Sequence, residues 1–241
     1  MLAHLGKLVG NALAPLTGAV ARLRRSRMFH PDGVVYSAEV HALESAPDLR
    51  ALGERLSGET LSRFSSAWWK QGHEWPDVLG LALRFGGERG DQDLLLATVR
   101  FPFTTPVAPL GTRFTSFAWN HFHAVSPFEA DGVGRIKLRL RSPRLGRRDS
   151  ETREQHLARL AEERRAAWLI EARRLEVPFF KRRWEPFAQL ELTAPDERVD
   201  QAALHFSPFN DRRGLVPVGF VHHLRIGTYA SSQRARLATH G

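Results

Sequence analysis

Residues 134–142, GRIKLRLRS, indicate the fold class most directly. Apolar and cationic side chains alternate there at every second position, which is the period of a β-strand with one buried and one solvated face. The apolar members are Ile136, Leu138 and Leu140, and the cationic ones are Lys137, Arg139 and Arg141. Half-buried strands of this kind are typical of antiparallel sheets.

Further strand candidates lie on both sides of this segment, at 34–43, 79–85, 94–101, 187–194 and 215–224. Residues 86–91, GGERGD, have the composition of a hairpin turn, and 46–57 is prone to form a helix. A second helix is predicted from a cap at Asp149 or Ser150 to about Leu175, with Trp168 facing the core, and a last one from about Tyr229. The pattern predicts an α+β arrangement, an antiparallel barrel with flanking helices.

Composition narrows the function classes. The chain has 241 residues, 42% of them hydrophobic, which suits a single domain over 1–241. It has no cysteine, so disulfides, thiolate metal ligands and thiol nucleophiles are excluded, and a cytoplasmic location is the expectation. The net charge of +9 is accompanied by no helix-turn-helix or zinc-finger signature, so we expect no nucleic-acid partner.

Residues 1–25 read as an amphipathic helix whose apolar stretch is followed by Arg22, Arg24 and Arg25. A secretory signal carries its cations before the apolar stretch, so we do not expect one here. Two interpretations stay open. The helix packs on its own barrel or on a second subunit in a homodimer, which we favour, or it lies peripherally on a membrane surface.

Near the C-terminus, residues 225–236 read RIGTYASSQRAR. On a helix, Tyr229, Gln233 and Arg236 share one face, and Arg225 precedes Tyr229 by one turn. A neighbouring guanidinium favours the phenolate form of tyrosine, and a phenolate is a known axial ligand of haem iron. An exposed basic helix with an ordinary tyrosine is the alternative that these residues alone leave open.

This segment resembles the proximal-ligand motif of haem catalases and of the small catalase-related peroxidases. The resemblance implies Tyr229 as iron ligand, Arg225 as its hydrogen-bond donor and Arg236 as a partner of a haem propionate. Gln233 stands at the polar position of the motif.

Two N-terminal segments are similar to the same family. Residues 27–33, RMFHPDG, resemble the segment before the first catalase strand, which implies His30 as the distal base and Arg27 as a propionate partner. Residues 63–65, RFS, resemble the second strand, which implies Arg63 as a propionate partner and Ser65 as a hydrogen-bond partner of the distal histidine. The matches run in family order along nearly the whole chain.

One departure concerns the distal side. Catalases carry Asp-Leu-Val-Gly-Asn-Asn where this chain reads DLLLAT at 93–98, so the distal asparagine falls on Ala97 and only the adjacent Thr98 offers a donor. A competing non-haem metal site would use two histidine pairs, 121 with 123 and 222 with 223. Because neighbouring strand residues point to opposite faces, 222 and 223 cannot both face such a site.

The resemblance therefore implies a catalase-like barrel with haem b buried between the barrel and the C-terminal helix. We expect a peroxidase that uses an external reductant and reduces organic hydroperoxides better than hydrogen peroxide, because Ala97 removes a polar donor. The alternatives are a fatty-acid hydroperoxide isomerase or lyase of the allene oxide synthase type, and a non-enzymatic basic module that binds membranes or nucleic acid.

Overall fold

The computed structural model describes residues 33–69, 73–87, 90–100, 107–124, 126–196, 199, 204–207 and 210–219. The strands are β1 Gly33–Ala42, β2 Gly58–Ser66, β3 Leu79–Phe85, β4 Gln92–Ala97, β5 Phe122–Ala124, β6 Phe128–Ala130, β7 Gly134–Arg141, β8 Ala167–Arg174, β9 Glu185–Pro195 and β10 Leu215–Pro217. The α-helices are α1 Pro47–Leu56, α2 Ala108–Gly111 and α3 Arg153–Glu162. Short 3-10 helices cover Phe117–Trp119 and Phe179–Lys181.

Eight of these strands close into an antiparallel barrel in the order β7-β5-β4-β3-β2-β1-β9-β8, with β8 pairing back onto β7. Strand β6 pairs with the first half of β7, whereas β5 pairs with its second half. Strand β10 pairs with β6. The fold class predicted from the alternation of residues 134–142 is confirmed.

The barrel interior is filled by every second residue of each strand, as the alternation predicts. Phe64 lies at the centre of an aromatic cluster, with its ring centroid 5.3 Å from those of both Phe117 and Trp168 and 6.0 Å from that of Phe122. All four side chains are buried. Close packing of large apolar side chains of this kind is the main source of stability in such a core.

The two ends of the barrel differ in what they carry. At the first end β1 and β3 begin, β2 and β4 end, and the long connections 67–78, 98–121 and 142–166 leave the barrel. At the second end lie α1 and the connection between β8 and β9, because Arg174 near the end of β8 pairs with Ile136 near the start of β7.

The predicted helix from about 150 to 175 is wrong in its second half. Helix α3 begins at a Thr152 cap, where the Thr152 hydroxyl accepts from the Gln155 amide and the Gln155 side chain accepts from the Thr152 amide. It ends at Glu162, and Arg164 then takes a left-handed conformation with φ 53°. Trp168, which the helix prediction placed toward the core, is buried as predicted, but inside the barrel on β8.

Two predicted strands are shorter than expected, since β4 stops at Ala97 and the described part of the last strand spans 215–217. The predicted helices at 1–25 and from Tyr229 lie outside the described residues. Within the described part of the chain, no helix is both long enough and apolar enough to cross a bilayer.

Candidate functional site

A row of small residues crosses four strands on the outer face of the barrel at its first end. Gly33 pairs with Ser65, Ser65 with Gly80, and Gly80 with Ala97, so the four residues stand side by side on β1, β2, β3 and β4. Their neighbours Phe64, Leu79, Leu81 and Leu96 belong to the core cluster inside the barrel, and Val34 packs against it. Because side chains alternate between faces, the small-residue row lies outside it and forms a flat surface.

The rest of this outer face is covered by residues 204–207. Leu204 and Phe206 form a second apolar cluster with Val35 of β1, and Leu61, Ala82 and Leu95 pack against it. Asp93 fixes this covering segment, since its carboxylate accepts the Ser207 amide at 2.7 Å and two hydrogen bonds from Arg84 at 2.8 Å. None of the four residues of the small-residue row belongs to the cluster that this covering segment forms.

Arg63 borders the small-residue row from β2 and is buried. Its guanidinium lies directly beside Gly33: a Cβ built on Gly33 would be 3.0 Å from the Arg63 Cζ, 3.1 Å from Nη2 and 2.4 Å from the Phe64 carbonyl oxygen. Glycine is therefore needed at 33 for close approach of β1 to Arg63. The guanidinium brings five N–H donors to the edge of the row, a geometry suited to carboxylates.

Ser65 is buried within the row, two residues beyond Arg63 on the same face. A cavity of about 10 Å³, bordered by Ser65, Ser66 and Glu154, lies next to it. This volume is close to what one water molecule needs and is far below that of a ligand pocket. The buried Arg153 guanidinium closes the far side of Ser66, donating to its hydroxyl at 2.6 Å and to Glu154 at 2.8 Å.

The connection between β2 and β3 is held in place by Asp77. Its buried carboxylate accepts hydrogen bonds from the backbone amides of Trp68, Trp69 and Val78 at 2.7–3.3 Å. Burial raises the pKa of Asp77, against the lowering effect of these bonds and of the Arg153 charge. Trp68 packs near Ala97 and Val99 in a small apolar cluster, so this connection walls one side of the small-residue row.

Thr98 follows directly after the row, and its hydroxyl oxygen is used within the protein. It accepts from the Leu79 amide at 3.1 Å and lies 2.9 Å from the Thr112 hydroxyl. The Thr112 hydroxyl also lies 3.0 Å from the Ala108 carbonyl. These bonds tie β4 to β3 and to α2, so the threonine predicted to replace the missing asparagine serves the connection between these elements.

His121 and His123, one half of the competing metal site, lie on the far side of Ala97. The His121 Nδ1 accepts from the Ser142 amide at 3.0 Å, and the His123 ring lies 6.2 Å from that of Trp184. Burial is the largest cause, and the Arg139 charge the next, of the shift that lowers the pKa of His123 to about 3. The ring is therefore neutral. No group of three or more metal-binding side chains occurs in the ranges that the structure describes.

Trp184 connects these histidines to a cluster of cations on β7 and β8. The guanidinium carbons of Arg139 and Arg173 lie 4.4 and 4.9 Å from the Trp184 ring centroid. Burial lowers the pKa of Lys137, and Arg173 and Arg100 lower it further. Glu171 offsets part of this charge through Arg139 and Arg141, at 2.5 and 2.8 Å.

Among the residues predicted for the site, the structure brings Arg63, Ser65 and Thr98 to the first end of the barrel. The other six lie outside the described residues: Arg27, His30, Arg225, Tyr229, Gln233 and Arg236. The sequence prediction missed Gly80. A glycine inside an apolar strand signals close backbone approach, and that signal was present.

Comparison with known proteins bears on the fold. No family model matches the chain, and no curated protein matches its sequence. Solved structures do match: a bacterial catalase has a TM-score of 0.66 at 16% identity and a fungal catalase has 0.66 at 13%. Catalase A from Saccharomyces cerevisiae has 0.64 at 12%.

Each match covers 90% of this chain but only 59%, 61% and 63% of the respective catalase. At these identities the comparison shows a catalase-like fold, in a chain that spans about three fifths of the length of those catalases.

Proposed function

We propose that this chain binds haem b against the small-residue row and uses it to reduce peroxides. The observation that carries the proposal is the row itself, four residues with little or no side chain standing in register on a barrel of the catalase type. A planar macrocycle needs a flat contact surface, and each bulky side chain on this row would separate it from the strands.

The described residues fit the group in two further ways. The buried Arg63 brings cationic donors to the edge of the row, where they would meet a propionate. Ser65 places a hydroxyl in the middle of the row, where it would hold the ring of a distal histidine in one orientation. The fit depends on Gly33, since any Cβ there would push against Arg63 and the β2 backbone.

The remaining groups come from the two ends of the chain. His30 precedes Gly33 by three residues in the sequence, and we expect it to supply the distal imidazole. Arg27 would join Arg63 and Arg236 in binding the propionates. Tyr229 would bind the iron, Arg225 would hold its oxygen as phenolate, and Gln233 would be the polar residue of the same motif.

Bound haem supplies an iron centre at which the O–O bond of a peroxide is broken heterolytically. The part of His30 would be proton transfer, since a neutral imidazole beside the bound peroxide could take up its proton and return it to the leaving oxygen. An external reductant then restores the resting enzyme.

The substrate preference follows from Ala97. A methyl group stands where the resemblance places an asparagine, and the nearby Thr98 oxygen already accepts the Leu79 amide. The row therefore lacks the amide donor that the resemblance places at 97 to hold hydrogen peroxide, and the apolar side chains around it favour organic and fatty-acid hydroperoxides.

An absorption spectrum of protein made with haem available tests the proposal. We expect about one haem per chain with a high-spin ferric, tyrosinate-type spectrum, and loss or change of that spectrum in Tyr229→Phe. Purified protein that takes up no haem would refute the proposal, and an unchanged spectrum in Tyr229→Phe would refute the ligand.

A hydroperoxide isomerase of the allene oxide synthase type is the second candidate, and the missing amide at Ala97 favours it as well. The two differ in their need for electrons. An isomerase converts fatty-acid hydroperoxide to product with no reductant added, whereas the peroxidase stops after one turnover per haem.

A further inference from the structure

The connection between β8 and β9 ends in an apolar tip made of Pro178, Phe179 and Phe180 at the second end of the barrel. The side chains of Phe179 and Phe180 are 81% and 80% exposed. All other phenylalanines in the described ranges are buried or half-buried. Two adjacent, fully exposed phenyl rings are costly in water and mark a surface that another apolar phase covers.

The tip is rigid, because the connection is fastened at both of its ends. The Leu175 amide donates to the Arg135 carbonyl at 2.8 Å, and Trp184 lies between the guanidinium groups of Arg139 and Arg173. The Arg182 guanidinium closes the loop from inside, donating to the Leu175 and Val177 carbonyls at 2.7 and 3.1 Å. A preformed tip loses little conformational freedom when it is buried.

The charge around the tip is positive. Lys181 follows the two phenylalanines directly and Arg183 comes two residues later, and both are exposed. The nearby acidic side chains are engaged with the barrel: Glu176 accepts the Arg135 amide at 3.2 Å, and Glu185 lies 3.6 Å from Arg174.

We propose that this tip docks on an anionic lipid bilayer, with Phe179 and Phe180 entering the boundary between headgroups and acyl chains. Lys181 and Arg183 would lie at the level of the lipid phosphates, where each cation adds to the attraction. The charge also argues against a second copy of this chain as the occupant, since that copy carries the same net charge of +9. The docking site needs no haem and is independent of the proposed peroxidase function.

Vesicle binding of the full chain tests the inference. Vesicles of phosphatidylcholine and phosphatidylglycerol at about two to one should pellet the protein, and pure phosphatidylcholine should do so much less. Phe179→Ser with Phe180→Ser should weaken the partition coefficient about tenfold or more, because both rings lose their burial in the interface. High salt should weaken binding of the wild type, since the cationic contribution is screened.

The matched control is a second exposed apolar pair, Val107 and Leu110, which are 57% and 88% exposed on the connection at the first end of the barrel. Val107→Ser with Leu110→Ser removes comparable exposed apolar surface and should leave binding unchanged. A thermal melt of both double variants verifies that each is folded, so that a loss of binding in one of them reports on the surface itself.

The position of the tip in the bilayer can be read directly, because the chain has no cysteine. A polarity-sensitive dye on Phe180→Cys should shift to the blue on the anionic vesicles, and the same dye on Leu110→Cys should not. Equal binding of the Phe179→Ser, Phe180→Ser variant and the wild type, or a dye at 180 that stays in water, would overturn the inference. So would a dimer that only the Phe179→Ser, Phe180→Ser variant loses while vesicle binding is unchanged.

Discussion

Replacing Gly33 by alanine separates the candidate site from the general stability of the barrel. The new Cβ would lie 2.4 Å from the Phe64 carbonyl oxygen, much closer than atoms approach in folded proteins, and 3.0 Å from the Arg63 Cζ. The Arg63 contact can be relieved by movement of its side-chain end, but the Phe64 contact cannot, because its partner is backbone. We therefore expect β1 to move away from β2 at the first end of the barrel, displacing the Arg63 guanidinium.

The cost follows from similar overpacking in other proteins. One inserted methyl group that shifts backbone destabilises by about 1 to 3 kcal/mol. For a chain of this length each kcal/mol lowers Tm by about 2 to 4 °C. On the proposed function, a displaced guanidinium would also lose its charge-assisted bond to a propionate, which should weaken haem binding about tenfold or more.

Two other glycines provide the controls. A Cβ on Gly53 of α1 would meet the Phe187 carbonyl oxygen at 2.6 Å, a comparable clash, but at the second end of the barrel. Gly53→Ala should lower Tm while haem affinity stays at the wild-type value, although the helix preference of alanine offsets up to about 1 kcal/mol of the loss. A Cβ on Gly111 meets nothing within 4 Å, so Gly111→Ala should change neither quantity.

Haem titration followed by absorbance, and thermal unfolding of the haem-free proteins, measure the two effects separately. An unchanged Tm in Gly33→Ala would show that β1 does not approach β2 as closely as described. Equal haem affinity in Gly33→Ala and Gly53→Ala would show that the small-residue row and Arg63 do not contact the haem.

Three further outcomes are expected. His30→Ala should retain haem and slow peroxide cleavage by about 10² or more in rapid mixing, since a positioned base contributes that much; wild-type speed would remove His30 from the reaction. Ala97→Asn should raise oxygen evolution from hydrogen peroxide by up to about 10², the usual effect of one oriented donor, and no rise would place the asparagine position elsewhere. Burial lowers the pKa of His123 from about 6.5 in the unfolded chain to about 3 in the folded one, so the unfolded chain binds the extra proton between these values. The free energy of unfolding should therefore fall as pH drops below about 6.5, and His123→Gln should reduce that slope in denaturant titrations; an unaltered slope would contradict a buried neutral ring.

Strand β7 was predictable because its apolar residues alternate, and β3 and β4 because two apolar runs flank a turn-like segment. The helix prediction failed after Glu162 for a related reason. Mixed charges spaced by three and four, such as Arg159 with Glu163, are typical of a solvated helix face, and the pattern continues past the end of α3. Trp168, Ile170 and Ala172 alternate at the period of a strand, but Glu171 between them is also buried and blurs that signal.

The sequence alone could not show which side chains meet across neighbouring strands. Trp184 and Arg173 lie in neighbouring segments of the chain, but their contact with Arg139 depends on the pairing of β7 with β8. Register is set by the closed barrel as a whole, so no local pattern reports it. The same holds for the small-residue row, whose four members come from positions spread over 65 residues.

Strand pairing gives the neighbouring residues Ala97 and Thr98 different roles. Ala97 stands in the small-residue row because it pairs with Gly80, whereas β4 ends there and the Thr98 amide donates to the Leu79 carbonyl at 2.9 Å. Thr98 accordingly bonds to Leu79 and Thr112, and its hydroxyl cannot reach the row while these pairings hold. A donor at 97 would have to come from a new side chain or from bound water. If the chain has the proposed function, Thr98 does not replace the asparagine, and this missing donor is the reason why we expect organic hydroperoxides to be the better substrates.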